Sequence, residues 1–271
     1  MILVTGASGQ LARRIITHLH AAGADVTEGS RSPASGGRTL DFDSPAALDL
    51  TGVETLVLVS AGYAEDDVVL ARHSAVLEAA RRDGVGHVLY TSLVGAGDHL
   101  GFALAHRATE RALRRSGLDW TIMRNGLYAE LVGALLLWDE GGLQSPFGDG
   151  HVAAPTRDDL ALAAARVAAA PGRHAGSVYE LTGPPFTVGD IARELDAPVQ
   201  DLPLGEYRRR LLASPALLPF EPPMLASIAT SVRHGFLADH GSDLTGLLGR
   251  DPHPGVEAAA AAAWLQSPQP A

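Results

Sequence analysis

Two glycines set three residues apart behind an apolar run are the first feature of the chain that can do chemistry. The sequence opens MILVTGASGQLARR, so Gly6 and Gly9 follow Ile2 to Thr5 and precede Gln10, Leu11 and Ala12. In this spacing the first glycine permits a tight turn and the second lets a pyrophosphate approach the backbone. A small third residue, here Ala12, lets the following helix pack closely on a sheet. Ser8 sits inside the turn, and a helix starting near Gln10 aims its unpaired N–H groups and positive end at a phosphate. The pattern predicts a dinucleotide cradle built by Gly6, Ser8, Gly9, Gln10 and Leu11. An ordinary strand-to-helix turn shares the glycines, but here the strand, the helix and a second strand, Asp25 to Ser30, are all in place.

The second strand ends in Ser30-Arg31. An acidic residue there would bind a ribose 2′-hydroxyl, whereas a guanidinium accommodates a 2′-phosphate and stacks on adenine. Arg31 therefore favours NADP(H) over NAD(H), with Glu28 nearby as the opposing feature. In LDFDSPAAL, Asp41 and Phe42 are placed to meet the adenine amino group and ring. The other role open to Asp41, capping the helix that begins near Ser44 or Pro45, fits Ser44 better. Ligands of open α/β sheets sit beyond the C-terminal strand ends. This marks Ser60, Ala61 and Gly62 as a small-residue floor under the cofactor and Thr91 and Ser92 as hydroxyls facing the nicotinamide or a substrate oxygen. Those two hydroxyls could instead satisfy turn amides. Tyr128 and Trp138 are the aromatic candidates for stacking on a flat acceptor, and Trp138, in LLLWDE, reads better as core.

The elements that must position these residues alternate. Strand-like runs ILVT, DVTEGS, TLVLVS, HVLYTSL and DWTIMRN are separated by helical patterns at Leu11 to Ala22, Ala64 to Asp83 and Ala103 to Ser116. That order implies βαβ units, and the nearly continuous apolarity of TLVLVS and HVLYTS fits strands covered on both faces. The expected fold is an α/β, Rossmann-type doubly wound parallel sheet with a smaller C-terminal α/β lobe. Residues 1–126 form the NAD(P)-binding part and 127–271 a substrate-pocket lobe with C-terminal helices, in a single compact unit. The lobe holds a helix over Asp158 to Ala170 behind Thr156, a strand at SVYEL and a helix opening at Thr187. The alanine run before Trp264 reads as a terminal helix packing by its tryptophan, and SPQPA as a disordered tail.

Composition narrows the partners. The 271-residue chain carries a formal charge of −10 with no basic block longer than Arg208 to Arg210, which leaves no electrostatic footprint for nucleic acid. The first residues already read as a strand, and no apolar run approaches the roughly 20 residues of a membrane span, so a cytoplasmic protein is expected. Cysteine is absent, which removes thiol catalysis and thiolate metal sites, and the eleven histidines form no ligand pattern, so no metal is expected. The apolar stretch Leu131 to Trp138 reads as core, with a homodimer face as its other reading.

The blocks VTGASGQLA, SRSP, LDFDSPAAL, LYTSL, ATERALRRSGLDWTIMRNGLYAE, APTRDDLALAAARV and SVYELTG together resemble the NmrA-like, atypical branch of the short-chain dehydrogenases. Within it they are most similar to the type-2 NAD(P)H:quinone oxidoreductases and triphenylmethane reductase. The resemblance runs from Met1 to about Gly183. It implies an NADPH-dependent reductase acting on a quinone or another conjugated acceptor, and places Asn125 near the nicotinamide carboxamide. The superfamily's usual tyrosine and lysine are missing: the chain has no lysine, and GFALAHRATERAL puts Phe102 and His106 at the matching positions. The resemblance gives the reductase branch a histidine near this point, so His106 is expected to bind the nicotinamide ribose or to supply a proton. A nucleotide-sensing regulator and a biosynthetic reductase or isomerase of the same fold are the competing readings.

Overall fold

The computed structural model describes residues 1–61 and 63–267. The chain begins with β1 (Ile2–Thr5), α1 (Gln10–Ala21), β2 (Val26–Ser30), β3 (Arg38–Thr39), β4 (Thr55–Leu58) and α2 (Asp66–Arg82). It continues through β5 (His87–Leu93), α3 (Ala103–Arg115), β6 (Asp119–Asn125), α4 (Ala129–Ala134), β7 (Leu137–Asp139), β8 (Gly142–Ser145) and α5 (Arg157–Ala169). It ends with β9 (Val178–Leu181), α6 (Val188–Glu194), β10 (Val199–Asp201), α7 (Leu204–Ala213), α8 (Glu221–Arg233), α9 (Asp243–Leu248) and α10 (Gly255–Trp264).

Seven strands form one parallel sheet in the order β3-β2-β1-β4-β5-β6-β9. Strand side chains alternate between the two faces. Val4, Val57, Leu89 and Met123 point to the layer made by α1 and α5, while Leu3, Leu56, Tyr90 and Ile122 point to α2 and α3. Both faces are covered, which is why the central strands read as unbroken apolar runs. Helix α1 buries Leu11, Ala12, Ile15, Ile16 and Leu19, the single stripe that a 3.6-residue period allows.

Residues 127–271 divide between two layers. Strand β9 pairs with β6 at the sheet edge, and α5 packs on α1. The remainder builds a separate core around Phe147, Phe186, Ile191, Tyr207 and Ile228, with a small sheet in the order β10-β8-β7. Thr156 caps α5 by accepting the Asp159 N–H at 3.1 Å, as its sequence suggests. The terminal helix corrects an expectation: Trp264 is 52% exposed, and α10 packs through Ala259, Ala260 and Ala263 instead. A Cβ on Gly133 of α4 would stand 1.9 Å from the Ala259 carbonyl oxygen, so only glycine allows the two helix backbones to approach this closely. Trp138 ties the same helix down, its indole N–H donating to the Ala263 carbonyl at 2.8 Å. Arg208, Arg209 and Arg210 lie exposed on α7. Residues 268–271 of the C-terminal SPQPA stretch lie outside the described residues, as does Gly62.

Candidate functional site

The strand order reverses between β1 and β4, the position where an open α/β sheet forms a crevice at its carboxyl end. A groove of about 440 Å³ lies there, lined by Gly6, Ser8, Gly9, Ser30, Arg31, Asp41, Phe42, Ser60 and Ala61. Predicted residues from four separate chain segments thus share one wall system. A wider groove of about 840 Å³ on the lobe, lined by Asp149, His151, Asp201 and Arg233, holds none of them.

The turn has the geometry of a phosphate cradle. Gly6 adopts φ +65°, and a Cβ on Gly9 would crowd the Gly6 carbonyl oxygen at 3.1 Å. Gly9 donates to that carbonyl at 2.7 Å, and Arg13 braces the loop from its guanidinium Nε to the Ser8 carbonyl at 3.0 Å. No side chain caps the start of α1, where Gln10 and Leu11 stand, and no acidic residue occupies its first turn. Its first amides and its dipole are therefore available to an anion. The Ser60 hydroxyl oxygen is buried with no hydrogen-bond partner among the described residues, a polar group suited to a bound ligand. These features fit a dinucleotide.

Beyond the end of β2 Arg31 is exposed on the groove wall. Asp41 rather than Ser44 organises the turn: its carboxylate accepts from the Asp43 N–H at 3.1 Å and from the Ser44 hydroxyl at 3.3 Å. An aspartate in this geometry mimics a backbone turn, whereas Ser44 caps nothing. Phe42 is half-buried beside it. Sequence reasoning missed Arg72, which lines the same groove from α2 and makes a two-pronged pair with Asp43 at 2.7 and 2.8 Å. Those hydrogen bonds hold the Asp43 carboxyl below its usual range.

Beyond the strand ends the hydroxyls part company. Thr91 accepts the Ser60 N–H at 2.9 Å and so takes the amide-satisfying role that was its alternative. Ser92, on the opposite face of β5, donates to Glu110 at 2.6 Å. It belongs to a buried cluster in which Glu110, 2% exposed, also accepts from Arg107 at 2.7 Å and from Arg124 at 2.9 and 2.7 Å. Burial alone would raise the Glu110 carboxyl, but hydrogen bonds from Arg124 and Ser92 and the charges of two arginines outweigh it, leaving it below the ordinary value. Ser92 is thereby corrected from a groove hydroxyl to a member of this cluster.

His106 is half-buried rather than on an open helix face. Its Nδ1 lies 2.9 Å from the Tyr90 hydroxyl, and its ring meets Phe102 edge-on at 6.4 Å. Burial pushes the imidazole down to about 4, with the Arg107 charge adding to the effect, so His106 is neutral near pH 7. Tyr90, fully buried, has its phenol pushed up by desolvation and keeps its proton. Asn125 is buried at the end of β6. Tyr128 follows it, its ring covered on one face by the Arg157 guanidinium at 4.6 Å. Trp138 lies in the lobe against α10, as its core reading implies. Tyr63, at the groove rim, donates to the buried Glu221 of α8 and meets Phe220 edge-on at 5.4 Å, so the lobe borders the groove.

A parallel doubly wound sheet with a glycine cradle at its switch point defines a nucleotide-binding α/β protein. A family model described as NAD(P)H-binding matches residues 6–171, and the chain belongs to that family. Quinone oxidoreductase 2 of Escherichia coli is 38% identical over 212 residues, 72% of this chain and 73% of that protein. The crystal structure of an NADPH-dependent quinone oxidoreductase from Escherichia coli with NADPH superposes with a TM-score of 0.83 at 32% identity, covering 96% of this chain and 99% of that one. Citrobacter sp. triphenylmethane reductase complexed with NADP(H) gives the same TM-score at 28% identity, with 96% and 99% covered.

Among the described residues no group of three or more histidines or carboxylates is placed to hold a metal ion, and no helix is long and apolar enough to cross a membrane.

Proposed function

We propose that the protein is an NADPH-dependent oxidoreductase that reduces a quinone or another conjugated acceptor. The observation that carries this reading is the groove at the sheet's switch point, where the Gly6–Gly9 cradle, Arg31 and the buried Ser60 hydroxyl, which has no hydrogen-bond partner among the described residues, converge. The likeness to two reductases solved with NADPH or NADP(H) supports it. NADPH, when bound, supplies the hydride.

Gly6, Ser8, Gly9, Gln10 and Leu11 hold the pyrophosphate, Arg31 receives the 2′-phosphate, and Asp41 and Phe42 meet the adenine. Ser60 and Ala61 form the floor. His106 is held by Tyr90 to hydrogen-bond the nicotinamide ribose, and Asn125 stands near the carboxamide. The lobe core around Phe147, Phe186 and Tyr207 closes the acceptor side, with Tyr128 at the boundary. The reaction runs without a tyrosine–lysine pair in this reading: the chain has no lysine, and the family resemblance puts Phe102 at the tyrosine position. A conjugated acceptor needs none: it delocalises the charge it receives, so alignment outweighs proton donation.

The test is the reduced-nicotinamide absorbance of purified protein mixed with NADPH and a panel of quinones. Oxidation that requires both protein and acceptor is expected. Tight NADPH binding without turnover across the panel would overturn the quinone reading in favour of a sensor or of a biosynthetic substrate outside the panel.

A further inference from the structure

The three backbone amides that follow β4 are each taken by a side chain from a different element. Val59 N–H donates to the Thr5 hydroxyl at 3.0 Å, Ser60 N–H to the Thr91 hydroxyl at 2.9 Å, and Ala61 N–H to His73 Nε2 at 3.0 Å. Ladder bonding has ended here, and side chains from β1, β5 and α2 replace it.

The last of these bonds fixes the state of His73. A backbone amide can only donate, so Nε2 carries no proton and Nδ1 does. Nδ1 lies 2.8 Å from the Thr109 hydroxyl, which in turn donates to the Ala105 carbonyl at 2.8 Å. His73 is 1% exposed, and burial holds its imidazole neutral, down to about 3. Every polar atom of the ring is therefore satisfied, and a bolt runs from the groove wall through α2 to α3. Helix α3 carries His106, whose partner Tyr90 meets the His73 ring edge-on at 5.5 Å.

We propose that His73 is a positioning residue for the dinucleotide. Together with Thr5 and Thr91 it preforms the Val59–Ala61 wall of the groove and keeps that wall in register with the helix bearing His106. The proposal rests on the cofactor reading above. Because protein side chains consume the Ser60 and Ala61 amides, the wall offers the ligand a fixed surface and the Ser60 hydroxyl rather than loose N–H donors. Ordering this segment before binding removes an entropic cost that the ligand would otherwise bear.

The experiment compares wild type with His73→Leu, Thr91→Val and Thr91→Ser, reading Kd for NADPH and NADH by nucleotide fluorescence, and the split between KM and kcat. His73→Leu and Thr91→Val are expected to raise Kd for both nucleotides alike, by about tenfold, the equivalent of one buried hydrogen bond. kcat at saturating NADPH should change far less, and Thr91→Ser, which keeps the accepting oxygen, should restore most of the lost affinity. Unchanged Kd with a lowered Tm would overturn the proposal in favour of a purely structural role. A loss confined to NADPH would overturn it in favour of a phosphate contact. Should His73→Leu fail to fold, amide exchange in the wild type decides: protected Ser60 and Ala61 amides without nucleotide support preformation, and amides protected only after NADPH is added refute it. Wild type that binds no NADPH would refute the cofactor reading itself.

Discussion

The histidine at position 106 has a pH signature that separates its two candidate roles. Its imidazole is pushed down to about 4. At pH 7 the protonated fraction is then about one in a thousand, and it falls tenfold for each further unit. If His106 donated a proton in the rate-limiting step, kcat would decline tenfold per unit above about pH 4. If it only hydrogen-bonds the ribose as a neutral ring, kcat stays flat through neutral pH. The geometry favours the second case: the protonated Tyr90 phenol, 2.9 Å from Nδ1, donates to that nitrogen, which leaves the ring proton on Nε2. The assay is kcat at saturating NADPH and acceptor from about pH 5 to about pH 9, for wild type and His106→Gln. We expect a level profile across neutrality and, in the variant, about tenfold weaker NADPH binding from the loss of one hydrogen bond. An inflection near 6.5, or a steady decline above pH 4, that disappears in His106→Gln would refute the reasoning.

Arg31→Asp is expected to weaken NADPH binding by about 10- to 100-fold, the value of one or two charge-assisted hydrogen bonds, while sparing NADH; an equal loss for both nucleotides would remove the 2′-phosphate assignment. Glu110→Ala leaves Arg107 and Arg124 facing each other without their shared carboxylate, and calorimetry should show about 3–5 kcal/mol of lost stability, with a Tm lower by at least about 6 °C. Acid should destabilise the fold through His73 and His106, which are neutral in the native state while the unfolded chain takes up protons near 6.5. Both pKa values are depressed on folding, so their contribution is complete above about 6.5 and is lost as pH falls toward 4 and 3. Each should cost about 2 kcal/mol between pH 6.5 and pH 5. Urea unfolding at the two pH values measures this, and a His73→Leu variant with an undiminished loss would exclude His73 as a source.

The alternation of strands and helices was legible because α1 shows one apolar stripe and the central strands β4 and β5 nearly unbroken runs, and these are consequences of a sheet covered on both faces. The cradle was legible for a similar reason: Gly6 and Gly9 are required by backbone geometry, which leaves a mark in sequence. The supporting shell was not. Tyr90 is hidden inside HVLYTSL, where an aromatic residue looks like any other core residue. His73 lies in a helix rich in charged residues, and nothing in its spacing reveals that its partner is a backbone amide. Glu110, with Arg107 and Arg114 at helical spacing, imitates a solvated ion-pair face. Only the arrival of Arg124 from β6 shows that it is buried. Trp264 misled in the opposite direction, because a lone large aromatic in an alanine run suggests an anchor although the close approach at Gly133 makes the alanines the anchor.

Strand β9 and helix α5 return to the sheet from far along the chain, and this sets the order in which the molecule can be made. When residues 1–126 have left the ribosome, β6 still has a bare edge and α1 lacks its neighbouring helix α5. The missing pieces arrive with residues 157–181. Helix α5 is itself pinned later, because its fully buried Asp159 accepts from Arg250 at 2.6 Å and from the His253 N–H at 2.6 Å. A nascent chain therefore holds a nearly complete nucleotide cradle whose supporting helix is not fully pinned until Arg250 and His253 are synthesised. These distant pairings delay completion of the sheet until the later residues are made and leave an unpaired edge exposed in the interval, when a chaperone would be most needed.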